Sequence, residues 1–361
     1  MKRPTGSTAV KCVMIPFTAL STAATLHFCP KPPALTMCAE ERQKSKSPTP
    51  PLQEALAEQP LEADDNLPDD DSAYAVSYEN GRRYHAFRAG TYLLPNDDKE
   101  QDRMDLVHHL YSLLLGGKLF LAPIPPGPHR VLDLGTGTGI WAMDFADEYP
   151  SAEVIGTDLS PIQPKWTPPN CFFEVDDFEA EWLYTKPFDF IHARELEGCI
   201  SNDDDLFRRA FRHLAPGGYI EFQAAYPHWL SDDGTAGKAE NAQSWLKILL
   251  EGSAKFGKSL EGAVNWKKKM EKAGFVDVQQ EVRKMPIGAW PKDPKLKEMG
   301  RYQAIQQIQA VESYTPRVFS TVLGWTEEEI QVYVAKVRKD LKDPSIHLYL
   351  PIYFIWGRKP E

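Results

Sequence analysis

The stretch Val131-Leu132-Asp133-Leu134-Gly135-Thr136-Gly137-Thr138-Gly139-Ile140-Trp141 decides the fold. Its first four residues form an apolar run long enough for one buried strand. Gly135 to Gly139 make a tight glycine turn, and Ile140, Trp141, Met143 and Phe145 open a helix. A strand that feeds a glycine turn and a helix N-terminus is the nucleotide-binding start of an open α/β sheet. Glycine there tolerates positive φ and lets a ligand approach the backbone without meeting a Cβ. The dinucleotide pattern G-x-G-x-x-G/A requires a small residue at position 140. Ile140 stands there, and the third glycine falls one place early, at Gly139. A nicotinamide dehydrogenase is therefore disfavoured.

Downstream, the pattern alternates as a doubly wound sheet requires. A second strand, Glu153–Thr157, ends at Asp158 and Leu159. Asp158 lies 19 residues past Gly139, where such folds place the carboxylate that accepts both hydroxyls of a ribose. A third strand, Cys171–Val175, ends at Asp176-Asp177-Phe178, and a fourth over 188–191 ends at His192-Ala193-Arg194-Glu195. Ligands bind beyond the carboxyl ends of these strands, so His192, Arg194 and Glu195 are the polar groups expected near a substrate. An amphipathic helix over 203–214 precedes Ala215-Pro216-Gly217-Gly218 and a fifth strand, 219–223. Helices are expected near 240–256, 262–273 and 295–312, and a sixth strand over 275–283. Thr326 and Glu329 suit a capping box for a helix to about 341. The last strand, 347–356, carries Pro351, which suggests an irregular or edge position.

Upstream, residues 1–72 are rich in Pro, Ser, Glu and Asp, and read as a disordered extension. Targeting of an organelle by this segment is a minor alternative, and Met37 is an alternative start. Residues 73–128 read as an arm or lid. It holds a turn at Asn80-Gly81 and an amphipathic helix over about 100–115, stopped by Gly116-Gly117. Residues 129–361 form the main domain, with helical insertions around 230–272 and 290–342. His108 and His109 are adjacent, so they point about 100° apart on a helix and cannot both face one site.

The chain has 361 residues, is 42% hydrophobic and 25% charged, and carries a net charge of −10. That balance fits a globular protein and gives no basic stripe for direct nucleic-acid binding. No apolar run is long enough to span a bilayer. Cys12, Cys29, Cys38, Cys171 and Cys199 show no C-x-x-C and no His at metal spacing, so neither a disulfide frame nor a metal site is expected. The location expected is cytoplasmic or nuclear.

With the glycine turn after Asp133, Asp158, the acidic pair at 176–177 and Leu214–Gly218 in order, the chain resembles the class I S-adenosylmethionine (SAM) methyltransferases. Glu79–His85, Glu100–Arg103, Val131–Trp141 and Gly156–Pro164 are similar, more narrowly, to the fungal LaeA-like methyltransferases. This resemblance covers about 74–358. It implies a Rossmann-like, mostly parallel seven-stranded sheet with helices on both faces, and SAM as cofactor. It implies cofactor contacts from Asp133, Gly135, Thr136, Gly137, Gly139, Asp158, Leu159 and Arg194. Asp176 or Asp177 would bind the adenine amino group, with Phe178 against the ring. His192 is the candidate general base, because an imidazole can switch near neutral pH. Tyr84, Arg88, Glu195 and Trp229 are candidates for the acceptor, with Trp290 a further wall of an aromatic pocket. The acceptor expected is a small-molecule secondary metabolite. The alternative is a nuclear regulator of secondary metabolism working through a protein partner.

Overall fold

The computed structural model describes residues 76–79, 81–85, 87–88 and 94–361. The expected extension over 1–72 lies outside the described residues. The arm opens with an antiparallel hairpin, β1 (Val76–Glu79) and β2 (Arg82–His85), turning through Gly81 at φ +70°. Helix α1 (Asp98–Leu115) starts at Asp97, whose side chain accepts from the Glu100 N–H, and stops at Gly116 in the left-handed region.

The main sheet has seven strands. In chain order they are β3 (Arg130–Leu134), β4 (Glu153–Asp158), β5 (Cys171–Val175), β6 (Phe188–Arg194), β7 (Leu214–Ala225), β8 (Val276–Ile287) and β9 (Leu348–Arg358). Across the sheet they run β5-β4-β3-β6-β7-β9-β8. All pairings from β5 to β7 are parallel, while β9 runs antiparallel to both β7 and β8. The chain winds outward from β3 through β4 to β5, then returns to β3's other side with β6. The order therefore reverses between β3 and β6, and the crevice beyond their carboxyl ends is where this topology binds ligands.

Helix α2 (Ile140–Glu148) covers one face of the sheet, and α3 (Asp203–His213) with α5 (Ala263–Ala273) covers the other. Trp141, Phe145 and Phe190 fill the first interface, and Phe207, Phe222 and Trp266 the second. A third core joins α1, α4 (Glu240–Phe256), α6 (Pro294–Arg317) and α7 (Glu327–Leu341) to the ends of β7, β8 and β9. The Thr326–Glu329 capping box is present at the start of α7. Helix α6 continues into a π-turn, Val318–Val322, which sends Val318 and Phe319 into the core. Gly252 of α4 makes that approach possible, since a Cβ there would lie 2.7 Å from Val318 Cγ1.

Two expectations need correction. Pro351 is neither at an edge nor a disruption, because β9 is enclosed by β7 and β8. The Tyr226 N–H donates to the Pro351 carbonyl just past the last β7 pair, so proline's missing donor falls where the ladder ends. The helix expected over 295–312 runs on to Arg317, through Pro316. Ser313, buried on α6, donates to Glu100 Oε2 at 2.6 Å. Glu100 also takes two bonds from Arg103, at 2.9 and 2.7 Å. This buried network pins α1 to α6. Arg317 pairs with Glu79 at 2.8 Å and draws the hairpin to the same helix.

Candidate functional site

The turn after β3 is built by its glycines. Gly135, Gly137 and Gly139 have φ of +62°, +58° and +81°, a region costly for residues with a Cβ. A Cβ at Gly135 would lie 2.5 Å from Leu196 Cδ2, and one at Gly139 would lie 2.3 Å from the Phe173 ring. The turn is thus pressed between β6's exit loop and β5. Asp133 braces it from below: its carboxylate accepts from Thr136 Oγ1 at 2.6 Å and faces His192 Nδ1 at 2.7 Å.

Above the turn lies a cavity of about 450 Å³. It occupies the crevice that the strand order marks. Asp133, Gly135, Thr136, Gly137, Asp158, Leu159, Asp177, Phe178, His192, Arg194 and Glu195 all line it. Asp158 receives the Gly137 N–H at 2.9 Å on one oxygen and the Ser160 N–H at 2.8 Å on the other. Each oxygen keeps a further lone pair. Burial pushes this carboxyl up to about 6. The cavity also receives Asn96, Arg103, Met104 and His108 from the arm side, Tyr314 from α6 and Val318 from the π-turn.

Other candidates fall elsewhere. Gly139 shapes the turn without lining the cavity, and Asp176 sits beside it, capping the Asp177 N–H at 2.7 Å. Tyr84 is fully buried under the Arg317 guanidinium, 4.2 Å from its ring centre, and does not line the cavity above the turn. Its place is the seam between hairpin and α6. Arg88 forms an ion pair with Asp177. Trp290 stacks on His347 and donates to the Leu348 carbonyl at 3.0 Å, away from both cavities. Trp229 lines a second, smaller chamber of about 60 Å³ that adjoins the first through Glu195, Glu197 and Tyr314.

His192 is wholly buried, stacked 3.6 Å from the Trp141 ring centre and held by Asp133. Burial pulls its pKa down to about 4, so the imidazole is neutral at physiological pH. Arg194 is likewise engaged. It bonds Gln223 Oε1 at 2.8 Å and His108 Nδ1 at 3.1 Å, and lies 4.7 Å from the Tyr111 ring centre. His108 in turn reaches Asp144 at 2.9 Å. Glu195 has φ +56°, an uncommon conformation for a residue with a Cβ, and accepts from the Tyr111 hydroxyl. Glu197 is pushed well above the usual carboxylate range, first by burial and then by the charge of Glu195, to which it is hydrogen-bonded. Sequence reasoning reached Glu195 but missed Glu197. The only local sign was the two-residue spacing that puts both on one side of an extended chain.

The lining chemistry discriminates among nucleotides. Asp133, Asp158 and Glu195 are acidic and outnumber Arg194, the lining cation bonded to Gln223 and His108, while Arg103 and Lys258 are paired with Glu100 and Glu179. A pyrophosphate would meet net negative charge here, whereas a sulfonium cation is favoured. The glycine turn gives the close approach and Asp158 the lone pairs that a nucleoside needs. Among the described residues, no group of three or more His, Cys, Asp or Glu is placed to hold a metal ion. No described helix is long and apolar enough to cross a membrane.

Sheet order and site together define a class I SAM-dependent methyltransferase domain. A methyltransferase-domain family model matches residues 106–280. Methyltransferase pytC of Aspergillus terreus is 41% identical over 290 residues, covering 80% of this chain and 90% of that protein. The secondary metabolism regulator laeA of Aspergillus fumigatus is 33% identical over 292 residues, 80% of this chain and 78% of that one. The protein-methionine methyltransferase laeA of Emericella nidulans is 35% identical, with coverage of 78% and 76%. Among solved structures, Haemonchus contortus phosphoethanolamine N-methyltransferase 2 with SAM matches at a TM-score of 0.39 and 20% identity, covering 72% of this chain and 52% of that one. The chain belongs to the LaeA-like family of fungal SAM-dependent methyltransferases, and its cofactor is SAM.

Proposed function

We propose that this enzyme methylates a small-molecule acceptor of fungal secondary metabolism. The observation that carries this reading is the shape of the site: α1, α6 and the π-turn line a cleft above the glycine turn, and a compact, mostly apolar chamber continues from it. Bound SAM supplies an electrophilic methyl group on a sulfonium. The residues then have three tasks. Asp158 binds the ribose diol, and Asp177 with Phe178 holds the adenine. Leu159, Asp133, Thr136 and the glycine turn shape the floor. The leaving thioether needs little further activation, so alignment of the two reactants in the cleft supplies much of the rate. Arg194, with its donors committed to Gln223, Leu119 and His108, orients the β6 exit loop rather than meeting the acceptor. His192, neutral and stacked on Trp141, sets the Asp133 carboxylate under the turn with its Nε2 unpartnered at the cavity wall, and the polar groups left to face an acceptor are His192, Glu195 and Glu197.

The relationship to the protein-methionine methyltransferase laeA favours a second reading, in which the acceptor is a protein; a nuclear location goes with that reading and a cytoplasmic one with the first. The two separate in one experiment. The full chain is incubated with methyl-labelled SAM and a fungal extract, and label is sought in the organic phase and in protein bands. Label in an extractable small molecule is the expected result. Label confined to protein would refute the proposal.

A further inference from the structure

The smaller chamber, which the proposed methyl transfer leaves without a task, carries a chemical preference of its own. Its walls are apolar, with Trp229, Trp245, Leu246 and Met285 among them. Trp229 and Trp245 stack at 5.4 Å with their planes 7° apart, and the Trp245 N–H is spent on Thr315 Oγ1 at 2.8 Å. Two of the polar residues that line it carry buried oxygens short of donors. Glu197 Oε1 accepts from the Ala225 N–H at 3.2 Å, but its Oε2 is buried and meets no donor. Gln306, buried on α6, has an Oε1 that meets no donor either. Most buried polar groups in folded proteins are paired, so Gln306 Oε1, which has no partner in this apolar chamber, calls for an explanation. Glu197 shares a proton with Glu195, which still leaves its Oε2 a lone pair for a further donor.

We propose that this chamber is the acceptor's recognition subsite, taking a compact, mostly apolar ring whose two hydrogen-bond donors satisfy Glu197 Oε2 and Gln306 Oε1. The idea rests on the small-molecule reading above and sharpens it. Size agrees: about 60 Å³ compares with the roughly 10–15 Å³ that one water requires, so the chamber holds about four waters or one small ring. The apolar walls contribute affinity that is indifferent to chemistry, and the two oxygens supply the selection. A site built to accept hydrogen bonds rejects an analogue without donors, because its own groups are then left unpaired. Glu197 and Tyr314 line both cavities, so a molecule anchored here extends directly into the SAM crevice.

The test uses the full chain and two probes of similar shape, resorcinol with two donors and 1,3-dimethoxybenzene with none. Each is titrated by calorimetry and tryptophan fluorescence, with and without saturating S-adenosylhomocysteine. Resorcinol is expected to bind at least tenfold more tightly than the diether. Glu197→Gln keeps its oxygen on the Ala225 N–H and turns an amide donor into the chamber. Gln306→Met removes the other acceptor at similar volume. Each should weaken resorcinol at least fivefold, and in Gln306→Met, which lies outside the SAM crevice, S-adenosylhomocysteine affinity should stay within twofold. Equal affinity for the two probes, no resorcinol binding, or indifference of both variants would overturn the subsite. Loss of S-adenosylhomocysteine binding by the unaltered chain would instead strike the methyltransferase reading, and the titrations without it keep the chamber tested in that case.

Discussion

Substituting Gly135 by alanine probes the turn where fold and site meet. Two separable costs follow from the geometry. The backbone sits at φ +62°, which costs a residue with a Cβ about 1–2 kcal/mol. The new Cβ also lies 2.5 Å from Leu196 Cδ2, and Leu196 is buried, so relief requires repacking worth about 1–3 kcal/mol. The sum is a loss of about 2–5 kcal/mol, read by denaturant unfolding. The consequence for binding follows from position. Leu196 stands between Glu195 and Glu197 and lines the main cavity, so its displacement shifts the polar edge of that cavity. Calorimetry should show S-adenosylhomocysteine binding at least tenfold weaker. A double-mutant cycle with Leu196→Ala separates the terms: in that background Gly135→Ala should retain only the φ cost. A Gly135→Ala protein as stable as the parent within about 0.5 kcal/mol, with unchanged affinity, would refute the reasoning.

Further outcomes are expected. Glu221 is fully buried, accepts from the Leu121 and Ala122 N–H groups, and is pushed up by burial to about 7. A carboxyl whose folded pKa is raised is destabilising while ionised, so its contribution improves as pH falls from 7 toward 4.5, by on the order of 3 kcal/mol. The thermal midpoint of Glu221→Gln should rise less than the parent's over that interval; parallel curves would contradict this. His192 has the opposite sign: with its folded pKa near 4, it costs stability as pH falls from 6.5 to 4. Its ring should stay neutral by NMR down to pH 5, and a titration near 6.5 would show that it is not sealed. Glu100→Ala strands Arg103 and Ser313 in the α1–α6 seam and should cost about 3–5 kcal/mol in unfolding experiments; a loss under about 1 kcal/mol would mean that the network contributes little.

Much of the frame was legible in sequence because its determinants are local. Glycine spacing defines the β3–α2 turn, and a short apolar run ending in an acid marks β4 and β5. The helix over 240–256 and the Thr326 capping box follow from periodicity and end chemistry. What escaped depends on contacts distant in sequence. Tyr84 looked like a pocket aromatic but is claimed by Arg317 of α6. His192 carries no sequence sign of the Trp141 stack and Asp133 contact that hold it neutral at the cavity wall. Glu197 carries no local signal beyond its spacing from Glu195 and Gln306 none; only the packing of α6 over the β6 exit loop brings both to one chamber. Pro351 misled because a missing donor can be hidden where a partner strand ends as well as at an edge.

The central claim is that the crevice above Val131–Trp141 binds SAM through Asp158. Its most direct test is a calorimetric titration of SAM into the full chain and into Asp158→Ala at pH 7.5. The account predicts one site per chain in the parent and affinity at least about a hundredfold weaker in the variant, the scale expected when a buried charge-assisted pair of hydrogen bonds is lost. No binding by a folded parent, or equal affinity in Asp158→Ala, would contradict it.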